Sequence, residues 1–127
     1  MAQKDIGNKT PLHELKTTEQ VMKYYDEWSK NNKYNNDMLE WEYSGPKETS
    51  ETLSKYQYNK DIKIYDAGCG SGLVGIELKK FGFNYFDGAD ISKELLNQVP
   101  DNLYNKLEQI DLNKKIDKED DFYDVVM

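Results

Sequence analysis

The run Ile62-Lys63-Ile64-Tyr65-Asp66-Ala67-Gly68-Cys69-Gly70-Ser71-Gly72-Leu73-Val74-Gly75 reads as a short buried strand, a turn dense in glycine and the start of a helix. Glycines at 68, 70 and 72 permit positive φ and carry no Cβ, so the backbone can turn sharply and approach a bound small ligand. Apolar residues then recur at 73, 74, 76, 78 and 81, largely one helical face, with Gly82 as the stop. A helix that opens on such a loop aims its unpaired N–H groups and positive dipole end at whatever fills the turn.

Two ligand classes fit. Gly70-Ser71-Gly72-Leu73-Val74-Gly75 formally satisfies G-x-G-x-x-G, and Asp90 follows at about the 20-residue distance of a dinucleotide fold's ribose-binding acid. A lone match of that kind is a weak signal. Asp66, at the end of the first strand beside the glycines, argues against NAD: its charge would repel a pyrophosphate and attract an ammonium or sulfonium.

Four motifs follow in order: Asp66-Ala67-Gly68-Cys69-Gly70-Ser71-Gly72; Phe86-Asp87-Gly88-Ala89-Asp90-Ile91-Ser92 with Leu95-Leu96; Ile110-Asp111-Leu112; and Phe122-Tyr123-Asp124-Val125-Val126. Together they resemble the class I S-adenosylmethionine-dependent methyltransferases in order and spacing. Upstream, Tyr24-Tyr25-Asp26-Glu27-Trp28-Ser29, Tyr34, Met38 and Tyr43-Ser44-Gly45-Pro46 are similar to small-molecule-type members, closest to the group named for the Williams-Beuren syndrome chromosomal region. The resemblance implies S-adenosylmethionine as cofactor and a small-molecule methyl acceptor. It also implies roles: Asp66 with the backbone of Gly68, Gly70 and Gly72 holds the methionine part; Asp90 accepts from the ribose hydroxyls, with Ile91 packed on the sugar or adenine; Asp111 accepts from the adenine amino group, and the Leu112 N–H donates to the ring. These carboxylates bind rather than catalyse, because transfer from a sulfonium needs alignment and water exclusion more than acid–base help.

Plainer readings stand beside these. Strand-end acids such as Asp66 and Asp90 commonly cap helices or turns. Asp111-Leu112-Asn113 would also make an ordinary turn, and Asp124 reads as structural. Cys69, the single cysteine, permits no intrachain disulfide and fits a small buried thiol better than a nucleophile. His13 has no ligand-spaced partners and reads as exposed; no metal cluster is visible. Tyr24, Tyr25 and Trp28 have the spacing of helix packing, with a cofactor lid as the alternative and cation–π attraction to a sulfonium as a secondary role.

Composition sets the surroundings. The 127 residues amount to one domain, and a formal charge of -7 disfavours nucleic-acid backbones as partners. No apolar run follows Met1, so neither a signal peptide nor a membrane span is read, and a cytoplasmic protein is the expectation.

The expected fold is α/β: a Rossmann-like parallel sheet of about four strands with flanking helices, an incomplete class I methyltransferase fold preceded by N-terminal helices. Residues 1–16 read as a flexible polar arm, 17–58 as a helical region and 59–127 as the truncated cofactor-binding core. Thr17-Thr18-Glu19-Gln20 caps a first helix through Trp28; residues 30–37 make a connector, 38–43 a short helix, and Pro46 opens another through about Tyr56. Strands are expected over 62–66, 83–89, 104–110 and 122–127, with helices over 73–81 and 93–98. Helical crossovers imply parallel pairing, with ligands at the carboxyl ends, where Asp66, Asp90 and Asp111 fall. The charged link 114–121 reads as a solvated loop.

Class I members continue past a strand like the fourth into a substrate-contacting loop, further helices and three more strands, whereas this chain ends at Met127. The expectation is therefore the cofactor half, a fragment or incomplete gene product, with no catalytic residue assignable. An open apolar edge on the fourth strand would favour self-association or dependence on another chain. A non-catalytic binding or interaction module is the second reading, and a nucleotide oxidoreductase domain the third.

Overall fold

The computed structural model describes residues 14–127, so His13 and most of the polar arm lie outside the described residues. Helix α1 spans Thr18–Ser29. Its start follows the sequence: Thr17 and Gln20 form a reciprocal capping box, each side chain accepting from the other's backbone N–H. Tyr24 and Trp28, four residues apart on one face, are buried.

The connector expected over 30–37 is largely helical instead. A single 3₁₀ turn, Lys30–Asn32, leads directly into α2, Lys33–Glu40. The cause is tertiary: Asp37 accepts from the buried Trp28 indole at 2.7 Å and pairs with Lys33 one turn away at 3.0 Å, which holds an Asn-rich stretch of poor intrinsic propensity in a helix. Helix α3 runs Gly45–Tyr56 with Pro46 in its first turn, where the missing N–H costs nothing.

Four strands follow, β1 Lys63–Ala67, β2 Tyr85–Asp90, β3 Leu107–Gln109 and β4 Val125–Val126, with α4 Leu73–Lys80 between β1 and β2 and α5 Lys93–Asn97 between β2 and β3. They pair in parallel in the order β3-β2-β1-β4, with Asp66 opposite Gly88 and Asp90 opposite Gln109. Expected strands two to four are shorter than read. Phe83 and Tyr104 turn wholly into the core, and Phe122 and Tyr123 lie against the sheet, the Tyr123 ring 4.9 Å from that of Tyr65 and its hydroxyl donating to Asp87 at 2.6 Å.

The core joins Ile62, Ile64, Leu78, Phe83, Phe86, Val99 and Tyr104 on the face where α4 lies, and α3 packs on α4. Helix α1 packs on α5, which carries the N-terminal helices to the carboxyl end of the sheet.

Candidate functional site

After β1 the chain turns through Gly68, Cys69 and Gly70 at the mouth of a cavity of about 620 Å³. The Gly68 and Cys69 N–H groups both donate to the Ala89 carbonyl, at 2.8 and 2.9 Å, which ties the loop to the end of β2. Gly68 has φ 75°, and a Cβ built on it would meet no atom within 4 Å: it faces open space that a side chain would take.

Asp90 closes β2 on the cavity wall. One carboxylate oxygen accepts from the Gly70 N–H at 2.8 Å, the other from the Ser92 N–H at 2.9 Å. Each oxygen has capacity for a further bond, so the group is oriented by the protein with acceptor positions to spare. Ile91 and Leu112 line the same wall, and Gln109 donates to the Ile91 carbonyl at 3.0 Å. Asp111 lines it too, while making the plain turn that its sequence allows, accepting from the Asn113 N–H at 2.9 Å.

The N-terminal helices add to the lining. Thr18, Val21 and Tyr25 of α1 and Tyr34 of α2 line the cavity. Polar ties seat them: the Thr18 hydroxyl donates to Asp111 at 3.2 Å, Asp26 accepts from the Ser92 hydroxyl at 2.5 Å and the Glu94 N–H at 3.3 Å, and Ser71 donates to Asn35 at 2.5 Å. The α1 aromatics thus divide by position: Tyr24 and Trp28 are core, and Tyr25 is wall. Burial raises the phenol pKa of Tyr25 and takes that of Tyr34 to about 12, with the Asp90 charge adding to both, so both are neutral at neutral pH.

Six of the eight expected contacts line the cavity: Gly68, Gly70, Asp90, Ile91, Asp111 and Leu112. Asp66 and Gly72 lie behind the loop. Asp66 is 4% exposed and accepts from the Tyr104 hydroxyl at 2.6 Å, which in turn accepts from the Gly75 N–H at 3.1 Å. Burial raises the Asp66 pKa, the Tyr104 hydrogen bond lowers it, and the Asp90 charge raises it again. Gly72 serves packing: a Cβ there would sit 3.2 Å from Val99 and 3.3 Å from Tyr104. Cys69 is buried, which raises its thiol pKa and suits packing rather than nucleophilic chemistry. Asp124 accepts from the Lys63 N–H at 2.8 Å and ties β1 to the start of β4.

Thr18, Asp26, Tyr34 and Tyr104 were missed by sequence reasoning. The traceable signal was for Tyr104, in the glycines at 75 and 88, whose absent side chains leave the slot its ring fills. Among the described residues no group of three or more His, Cys, Asp or Glu could hold a metal ion, and no helix is long and apolar enough to cross a membrane.

No family model matches the chain. Among solved structures it is similar to the plantazolicin methyltransferase BpumL in complex with SAH, at 20% identity and TM-score 0.55, over 84% of this chain and 45% of that one. A second BpumL structure, with a monoazolic desmethylPZN analog and SAH, matches at 18% identity and TM-score 0.55, over 85% and 48%. Magnesium protoporphyrin IX methyltransferase from Synechocystis PCC 6803 with bound SAM matches at 23% identity and TM-score 0.48, over 63% and 42%. The chain therefore spans less than half the length of these structures. The likeness to BpumL agrees with the sheet order: the fold is a Rossmann-like methyltransferase fold, with four parallel strands and flanking helices.

Proposed function

We propose that this chain is the S-adenosylmethionine-binding part of a class I methyltransferase that delivers a methyl group to a small-molecule acceptor, in a cytoplasmic setting. Within the family we assign it to the group named for the Williams-Beuren syndrome chromosomal region, on the resemblance of its N-terminal motifs. The observation that carries the reading is Asp90: an acid at the end of β2, pinned by the Gly70 and Ser92 N–H groups, with free acceptor capacity on the wall of a cavity the size of a cofactor site. The likeness to BpumL, solved with SAH, supports it.

Asp90 would hold the two ribose hydroxyls, with Ile91 against the sugar or adenine. Asp111 and the Leu112 N–H would meet the adenine edge, and the backbone of Gly68 and Gly70 the methionine part. Asp66 and Gly72 would act from behind, fixing the loop through Tyr104 and the start of α4. Bound there, the cofactor supplies an activated methyl group. The chain's own part is to orient it and, with α1 and α2 laid over the cavity, to exclude water.

A non-catalytic module that binds cofactor or partner is the second reading, favoured by the exposed Val126 on the outer strand β4, and self-association is its expected form. Size exclusion coupled to light scattering tests it; a strictly monomeric chain counts against it. The main reading is tested by isothermal titration with S-adenosylhomocysteine, with NAD in a parallel cell. Wild type should bind the former, and Asp90→Ala should lose about 1–3 kcal/mol of affinity. Unchanged affinity in Asp90→Ala would remove the ribose assignment, and preference for NAD would replace the reading with an oxidoreductase domain.

A further inference from the structure

Tyr25 and Tyr34 line the cavity together with Gly68 and Gly70 of the glycine loop. Asn35, the neighbour of Tyr34, accepts from Ser71 of that loop, and Thr18, on the same helix as Tyr25, donates to Asp111. Their rings are held by their neighbours: Tyr25 stacks on Trp28 at 5.9 Å and 26°, Tyr34 stands edge-on to Trp28 at 4.8 Å, and the two tyrosines meet at 6.4 Å. Trp28 is buried and bonded to Asp37, so the ring cluster has little freedom to rearrange.

The charge around them is one-sided. The lining carries Asp90, whose field reaches both phenols, and Asp111, while its lysine, Lys16, lies two residues before Thr18, the partner of Asp111. Neutral aromatic faces beside a carboxylate attract a methylated onium group, the chemistry that aromatic cages use for quaternary ammonium. In a nucleoside sulfonium and its demethylated product, the sulfur is the atom whose charge differs.

We propose that Tyr25 and Tyr34 are specificity-determining residues that favour the sulfonium form of the cofactor over its thioether product. The inference rests on the cofactor reading above. It gives α1 and α2 a role beyond covering the cavity: their rings contribute binding to the methyl-bearing ligand that the departing one does not receive.

The test is titration of the whole chain with S-adenosylmethionine and S-adenosylhomocysteine, for wild type, Tyr25→Leu, Tyr34→Leu and the two Tyr→Phe variants. The ratio of the two dissociation constants should shift toward the thioether by about 5-fold in each Leu variant and stay within about 2-fold of wild type in the Phe variants, which keep the ring face. Equal weakening of both ligands by Leu would mean packing alone and overturn the inference. A shift as large in the Phe variants would assign the effect to the hydroxyls and overturn it too. If a Leu variant melts before titration, Tyr→Met, which fills the space with an unbranched chain, carries the same expected ratio. A wild-type chain that binds neither ligand would overturn the cofactor reading itself, an outcome distinct from binding both with an unshifted ratio.

Discussion

Replacing Tyr104 with Phe removes one oxygen and leaves the ring in its glycine-lined slot, so no cavity forms. Two hydrogen bonds go with that oxygen: its donation to the buried Asp66 at 2.6 Å and its acceptance from the Gly75 N–H at 3.1 Å. The first is to a charged group and the second is neutral, which together predict a loss of about 2–4 kcal/mol at neutral pH, large against a typical domain stability. The pH dependence follows from Asp66. Burial raises its folded pKa above the ordinary 3.8, so the folded state holds the proton more tightly and stability falls as pH rises from 3.8 through the folded value. The Tyr104 hydrogen bond opposes that rise, and its removal lifts the folded pKa further. The extra loss in Tyr104→Phe should thus accumulate as pH increases and shrink on acidification, toward about 1 kcal/mol once Asp66 is protonated in both states. Urea unfolding of both proteins across a pH series, followed by circular dichroism, reads this directly from the midpoints at constant m. A difference that grows as pH falls, or is under about 0.5 kcal/mol at neutral pH, would refute the account.

Two further perturbations probe the loop and the helical cover. Gly68→Val puts a branched side chain at φ 75° facing the open cavity, and should cost about 1–2 kcal/mol of stability and at least about 10-fold in S-adenosylhomocysteine affinity, measured by thermal melting and titration; unchanged affinity would mean that the ligand does not reach the loop. Asp26→Ala strips the acceptor from the Ser92 hydroxyl and Glu94 N–H, so amides of α1 should exchange faster while those of β1 and β2 stay protected. Uniform acceleration across the chain would instead mark Asp26 as a contributor to global stability.

What the sequence disclosed was local. The capping box at Thr17 and Gln20, the glycine turn, α4 and its stop all rest on residues within a turn or two of one another, and all stand close to where the patterning sets them. The parallel order also follows from local units, because helical crossovers leave few alternatives. The start of α2 was hidden because Asp37 answers to Trp28, on another helix, rather than to its own neighbours. The part of Thr18 and Tyr34 in the wall was hidden for the same reason, and the choice between core and lid for Tyr24, Tyr25 and Trp28 stayed open, since both depend on where α1 docks against α5.

Asp66 and Asp90 make the limit concrete. Each ends its strand region beside the glycine loop, and the sequence offers both to a ligand on equal terms. The register separates them. Asp66 pairs with Gly88, and the missing side chain at Gly88, with those at Gly72 and Gly75, admits the ring of Tyr104, whose hydroxyl reaches Asp66 from 38 residues away. Asp90 pairs with Gln109, past the reach of that ring, and the protein donors it meets are backbone N–H groups that orient its oxygens without covering them. One acid is thus bonded to a neighbouring side chain, and the other keeps acceptor positions on the cavity wall. The difference follows from three glycines and a tyrosine that become neighbours only once β1 and β2 have paired.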